Sequence, residues 1–337
     1  MTGYERIQNV LFGKQVTPTP AMLHCFMSAA AEKGYTLSEY RNDAKKIARS
    51  HIDFARKYQL DGVLIDVDTC MEAGAIGVPI DLPIDDPARV TSGLSSNIDE
   101  CIDAMDVSKL YTYDRIKIKL DAVNRIKSEV GKDLLVRGNA DQGPYSLAML
   151  TLGMSEFMME LFDNPEKIKI LIARAFEVHL EFHRMMFDAG ADLTSFGDSS
   201  CGPDLISPEM YREFAYPFHK QLAMQLEKES IPTVCHICGN LDYILEDVVS
   251  AGFPAIEIDY KTNVSRAHDI MKGKSVFFGP IDPSGVFYFG TPDLVRRETS
   301  KVLDIFSDGG LVIGAGCALP KGVPQENIQA FIDTVKG

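Results

Sequence analysis

His236 and Cys238 lie two residues apart in Ile231-Pro-Thr-Val-Cys-His-Ile-Cys-Gly-Asn240, and Cys317 follows the apolar, glycine-ended run Leu311-Val-Ile-Gly-Ala-Gly316. Side chains on a strand alternate faces, so an imidazole and a thiol at this spacing emerge on one side while Cys235 and Ile237 emerge on the other. One nitrogen and two sulfurs make a donor set that zinc prefers. Three protein ligands leave a fourth position open, the arrangement of a catalytic rather than a structural zinc. The competing reading is a buried cysteine pair beside a hydrogen-bonded histidine, since free cysteine is among the most buried residue types.

The elements that must position these residues are legible as a repeating pattern. Eight short β-rich runs alternate with helical periodicity: residues 20–25, 62–68, 134–139, 192–198, 232–238, 255–259, 275–279 and 311–316. Strands alternating with helices imply a parallel sheet, and eight such units predict an α/β chain folded as a single (β/α)8 TIM barrel. Asn164-Pro165, Ser207-Pro208 and Thr291-Pro292 read as helix starts, and Gly190, Gly252 and Gly273 as helix ends. No linker or internal repeat divides the chain, so residues 1–337 are expected to form one domain with added N-terminal elements. The stretch from about Met71 to Ala122 is too long for a loop and one helix, and predicts an excursion at the barrel mouth.

Catalytic groups in such barrels come from the C-terminal ends of strands. Here those ends carry His24, Cys25, Asp66, Asp68, Asn139, Asp141, Asp198, His236, Cys238, Glu257, Asp259, Asp282 and Cys317. Any single acidic residue among them could equally be an ordinary solvent-facing strand end. Cys235 is expected to pack outward, and Cys70, Cys101 and Cys201 have no partner spacing. His179 and His183 stand one turn apart, a spacing able to bind zinc, but the helix bearing them is apolar along Ile168, Leu171, Ile172, Ala175, Val178 and Phe182, which predicts a structural role.

The bulk properties exclude several classes of function. The net charge of −14 opposes a phosphate backbone, and no Lys/Arg cluster offsets it, so nucleic acid is not an expected partner. No apolar run approaches the ~20 residues of a membrane span, and the charged N-terminus does not resemble a signal peptide. Seven irregularly spaced cysteines fit a reducing, cytoplasmic setting.

His236-Ile-Cys-Gly-Asn240, together with Gly314-Ala-Gly-Cys317-Ala-Leu-Pro320 and Pro324-Gln-Glu-Asn-Ile328, resembles the cobalamin-dependent methyltransferase branch of the uroporphyrinogen decarboxylase superfamily, in particular the methylcobamide:coenzyme M methyltransferases. Gly3 to Lys14, Gly143-Pro144-Tyr145, Met158 to Lys167 and Ile206-Ser-Pro-Glu-Met210 extend the resemblance over nearly the whole chain. It implies a (β/α)8 barrel, a zinc held by His236, Cys238 and Cys317, and a methylcorrinoid (methylcobalamin on a carrier protein) as co-substrate. Asp68 aligns with the catalytic aspartate of the decarboxylases. Asp68 and Asp198 are therefore the candidate catalytic acids, with Asn139 and Arg137 the candidates for binding co-substrate, Arg137 through a sulfonate if the thiol is coenzyme M. Asp198 and His24 are further candidates for the fourth zinc position.

A free thiol has a pKa near ~8.5 and attacks poorly at neutral pH, whereas a zinc-bound thiol is deprotonated. The implied reaction is methyl transfer from the corrinoid to that thiol. Transfer in the reverse sense from a methylated substrate, or transfer to a folate, uses the same parts. Decarboxylation of uroporphyrinogen is disfavoured, because the stretch from Cys25 to Tyr35, where the decarboxylases place substrate-holding arginines, contains none.

Overall fold

The computed structural model describes residues 1–337. Seven parallel strands, β1 (Gly62–Ile65), β2 (Leu135–Gln142), β3 (Leu193–Gly197), β4 (Thr233–Ile237), β5 (Ala255–Ile258), β6 (Val276–Ile281) and β7 (Leu311–Ala315), join in chain order. Their apolar runs are long enough for burial on both faces, and β5, β6 and β7 are buried at every position. The sheet curls until its two edges meet the Pro20–Cys25 segment. That segment receives the Asp61 amide on its Ala21 carbonyl at 2.9 Å, and its Met22 amide donates to Ile313 in β7 at 3.0 Å.

The expected eighth strand is thus reduced to a single parallel bridge between Ala21 and Ile313. Pro20 has no amide to donate, and the Ala21 amide goes to the Asp61 carboxylate at 2.8 Å instead of to a strand carbonyl.

Two apolar layers hold the sheet. A large cluster fills the space between the sheet and the outer helices. A smaller one lies inside the curl, where Leu64, Leu135, Leu193, Val234, Ala255, Val276, Phe278 and Val312 meet Met22, closed off by Ile7 and Val10 of the helix Gly3–Leu11. Every strand supplies at least one side chain to this plug. By the two-residue period of a strand, the next inward positions are Asp66 above Leu64, Arg137 above Leu135, His236 above Val234 and Glu257 above Ala255. Apolar plug and polar layer are successive storeys of the same strands.

The excursion after β1 comprises the helix Met71–Ile76, a two-residue antiparallel ribbon pairing Ile80–Asp81 with Arg89–Val90, and helices Ile98–Ala104, Ser108–Thr112 and Asp114–Val130. Ser207 and Thr291 cap their helices as expected. Asn164 does not, because its side chain donates back to Glu160 rather than accepting from the next turn. Gly190, Gly252 and Gly273 end their helices with positive φ.

Gly314 of β7 lies against the Met22 carbonyl, where a methyl group would collide. Gly314→Ala should push the Pro20–Cys25 segment away from β7 and cost about 2–3 kcal/mol, the range of strained core substitutions, read as a lowered urea unfolding midpoint.

Candidate metal centre

β4 delivers His236 and Cys238 on one face, as the alternation requires. The following turn is closed by Gly239, whose φ of 96° suits only glycine and whose amide is held by the Asp259 carboxylate at 2.8 Å. Cys317 arrives from the end of β7. Gly316 makes this approach possible, since a Cβ there would press on the backbone of Ile258, Asp259 and Tyr260 at the end of β5. Ligand atoms of His236, Cys238 and Cys317 lie within 4.8 Å of one another.

The ring of His236 is oriented by a bond from Nδ1 to the Glu257 carbonyl at 3.0 Å, which turns Nε2 toward Cys238 Sγ at 3.1 Å. This is how metal-binding histidines are usually fixed, with the non-ligating nitrogen donating to a backbone oxygen. The two sulfurs are 3.9 Å apart, close to the ~3.8 Å edge of a tetrahedron with Zn–S arms of ~2.3 Å. Ser199 Oγ donates to Cys238 Sγ at 3.0 Å. Two thiols and a pre-oriented imidazole, half-buried at the mouth of a cavity, fit zinc.

The electrostatics favour ionised sulfur. A hydrogen bond from Cys317 and the neighbouring His236 hold the Cys238 thiol well below its ordinary range, although burial opposes them. Cys317, donating to Cys238, is pushed well above it. Burial alone would neutralise His236, but the Cys238 thiolate keeps the imidazole protonated to higher pH.

The triad opens on a cavity of about 240 Å³ lined also by His24, Asp66, Asp68, Arg137, Asn139, Asp141 and Glu257. The charges in this wall are matched within the protein. Asp66 accepts from His24 Nε2 at 2.9 Å and Lys119 Nζ at 3.3 Å. Burial would raise its pKa, yet Lys119 and His24 hold it far below the usual carboxylate range. Asp68 pairs with Arg115 and caps the Cys70 amide at 3.0 Å. Arg137 pairs with Glu257, its guanidinium lying over the Phe278 ring at 5.3 Å from the centroid. Asp141, in a left-handed conformation with φ 67°, accepts from the Glu72 amide, and burial beside the Glu72 carboxyl raises its pKa well above normal.

Several expectations from sequence are corrected by this geometry. Asp198 does not reach the cavity with its carboxylate. It has the parity of Thr194 and Phe196 and turns outward, accepting from the amides of Tyr145 and Ser146 and from His219 at 2.9 Å. Arg137 is in the cavity wall but is committed to Glu257. Asn139 lines the cavity and accepts from Ser195 at 3.3 Å. Asp259 and Asp282 serve local turns rather than the cavity. His179 and His183 are fully buried and internally satisfied, bonding Glu72, each other and Thr194. Cys235 packs outward as expected.

Sequence reading missed Lys119 and Arg115. Both sit on the buried face of the helix Asp114–Val130, and Lys119 keeps helical register with Ile116, Ala122, Val123 and Ile126. A lysine in an apolar stripe is the signal that marks it. A second buried cluster, Asp198, Cys201 and His219, was also missed, and its atoms are already hydrogen-bonded among themselves and to Tyr211.

The sulfur electrostatics are testable in chelator-treated protein. Because its folded-state pKa is depressed, Cys238 keeps a thiolate as the pH falls below neutral and loses it, with the associated stabilisation, only on passing through that lowered value. The raised His236 value works oppositely, its stabilisation being complete in acid and lost as pH rises through it. Iodoacetamide at pH 6 should therefore alkylate Cys238, mapped by mass spectrometry, while Cys25 and Cys235, whose thiols burial pushes up, stay unmodified. His236→Asn should slow the Cys238 reaction at pH 6 by about tenfold or more.

Comparison with known proteins agrees with this architecture. The methylcobamide:CoM methyltransferase MtbA of Methanosarcina acetivorans is 26% identical over 100% of this chain and 99% of its own length. A uroporphyrinogen decarboxylase of Crocosphaera subtropica is 24% identical, covering 83% of this chain and 79% of its own. A solved methyltransferase from Methanosarcina mazei superposes with a TM-score of 0.91 at 21% identity, over 99% of this chain and 98% of its own, which establishes a shared fold. The model of uroporphyrinogen decarboxylase (URO-D) matches residues 2–337, and the chain belongs to that family.

Proposed function

We propose that the chain is a zinc-dependent, cytoplasmic methyltransferase that moves a methyl group between a methylcorrinoid, presented by a carrier protein, and a small thiol. We read its fold as a (β/α)8 barrel with one shortened strand, forming a single domain. The observation that carries the functional reading is the convergence of His236, Cys238 and Cys317 in the wall of a cavity, with no fourth histidine or cysteine ligand beside them. The similarity to a methylcobamide:CoM methyltransferase over the full chain supports the corrinoid and thiol parts.

When bound, zinc supplies the Lewis acidity that keeps a substrate thiol ionised at neutral pH. The chain's own residues prepare the position. His236 offers Nε2 because Glu257 takes the proton-bearing Nδ1. Ser199 donates to Cys238 and fixes the direction of its sulfur. Asp66, with His24 and Lys119, and Asp68, with Arg115, form a fixed polar wall opposite the ligands. In this reading Asp68 orients substrate or carrier through that wall, and Asn139 offers an amide to the bound group. From the excursion after β1, Thr69 and Pro87 reach the cavity.

Decarboxylation of uroporphyrinogen, the activity named for part of the family, fits poorly. The cavity's cations are already held by its own carboxylates, which leaves none for a substrate carrying many more.

Purified protein should hold about one zinc per chain, and Cys238→Ala or Cys317→Ala should release it with the fold intact by circular dichroism. The zinc-loaded protein should consume methylcobalamin in the presence of a thiol, followed by the loss of its absorbance, and thiol binding should add a third sulfur at about 2.3 Å in the zinc-edge X-ray absorption spectrum. Methyl transfer without a new zinc–sulfur contact would shift the reading to transfer from a methylated substrate. Retention of the metal in both variants would remove the site.

A further inference from the structure

Resting on the thiol reading above, we propose that the cavity selects a small thiol whose far end is uncharged or cationic, and that Glu257 sets this preference by holding Arg137. The argument starts from the side chains that face the cavity. Apart from the candidate ligand His236, only His24 and Arg137 among the lining residues can carry positive charge, against four carboxyl groups, Asp66, Asp68, Asp141 and Glu257. His24 is taken by Asp66, and Arg137 is taken by Glu257 and covered by Phe278. Lys119 and Arg115 stand behind the wall, each committed to an aspartate. No cation is left for an anionic substrate group to meet.

A sulfonate or carboxylate tail would therefore have to draw Arg137 away from Glu257 and leave that buried carboxylate unpaired, the most costly way to break a buried ion pair. It would also bring a second negative charge close to a metal already carrying two protein thiolates and the substrate sulfur. A hydroxyl, carbonyl or amide tail meets neither penalty. It can be met by the neutral amide of Asn139, which lines the cavity, with both ion pairs left in place. A cationic tail would meet Asp141, a lining residue whose Oδ1 has no hydrogen-bond partner.

The test uses four thiols built on the same two-carbon arm, so that only the far end differs: 2-mercaptoethanol, cysteamine, 3-mercaptopropionate and 2-mercaptoethanesulfonate. Each is titrated into protein holding cobalt(II) in place of zinc, and entry of its sulfur is read from the sulfur-to-metal charge-transfer band, corrected for the acidity of each thiol. Methyl transfer from methylcobalamin is measured in parallel on the zinc form. The neutral and cationic thiols should bind at least about tenfold more tightly than the two anionic ones. Glu257→Gln, which leaves Arg137 charged and unpaired, should reduce that margin or reverse it. Equal or tighter binding of 2-mercaptoethanesulfonate by the native protein overturns the proposal, and this comparison stands even if the variant does not fold. A folded Glu257→Gln protein with an unchanged preference overturns the role of Glu257. If none of the four thiols perturbs the cobalt spectrum, the thiol reading itself falls, an outcome distinct from binding with the opposite preference.

Discussion

The bond from His236 Nδ1 to the Glu257 carbonyl is the interaction on which the rest of the centre depends. It exists because β4 and β5 are parallel with His236 opposite Glu257 in register. A slip of one residue would turn the imidazole and the Cys238 thiol to the outer face, where Cys235 now packs. The same residue that fixes the ring through its backbone fixes Arg137 through its side chain. Ligand orientation and the charge of the cavity wall are thus two consequences of one strand pairing, and a change in that register would lose both.

The wall also explains why so many ionisable groups can be buried beside the candidate metal ligands without pulling the fold apart. Asp66, Asp68 and Glu257 each have a basic partner from another element: Lys119 and Arg115 tie β1 and the turn after it to the helix Asp114–Val130, His24 ties Asp66 to the Pro20–Cys25 segment, and Arg137 ties β2 to β5. Such pairs contribute little net stability, because desolvation offsets their attraction. Their effect is positional: each side chain has one low-energy place, since leaving it would strand a buried charge. Glu72 and Asp141 follow a different rule. Burial favours the neutral form of each, reinforced by Asp198 at Glu72 and by Glu72 at Asp141, which lets the two acids sit side by side.

What sequence reading could reach was governed by periodicity. The seven sheet strands, the outward cysteine Cys235, the excursion after β1 and the convergence of His236, Cys238 and Cys317 all follow from alternation, run length and donor type. Asp198 was misplaced because standing at a strand end was given more weight than parity: counting in twos from the plug residue Leu193 gives Ser195 and Gly197, which leaves Asp198 outside. The eighth strand was overcounted because β-propensity in Ala21-Met-Leu-His says nothing of where the Ala21 amide donates, and only the folded chain brings the Asp61 carboxylate to it. Lys119 and Arg115 were legible in principle as charges on an apolar helix face, but their partners Asp66 and Asp68 lie some fifty residues earlier in the chain, and no local pattern links them.

Cys235 and Cys238 make the underlying rule visible on one strand and its turn. Both are cysteines in the same short segment, and burial works against the thiolate of each. Cys235 faces the outer helices, where nothing stabilises a negative sulfur, and its thiol is pushed up and inert. Cys238 faces inward, and Cys317, His236 and Ser199 each direct a hydrogen-bond donor at its sulfur, enough to reverse the effect of burial. Residue type does not distinguish the two thiols, and burial opposes the ionisation of both. Side-chain parity does, because it decides whether the neighbours are hydrocarbon or polar groups that can stabilise a thiolate.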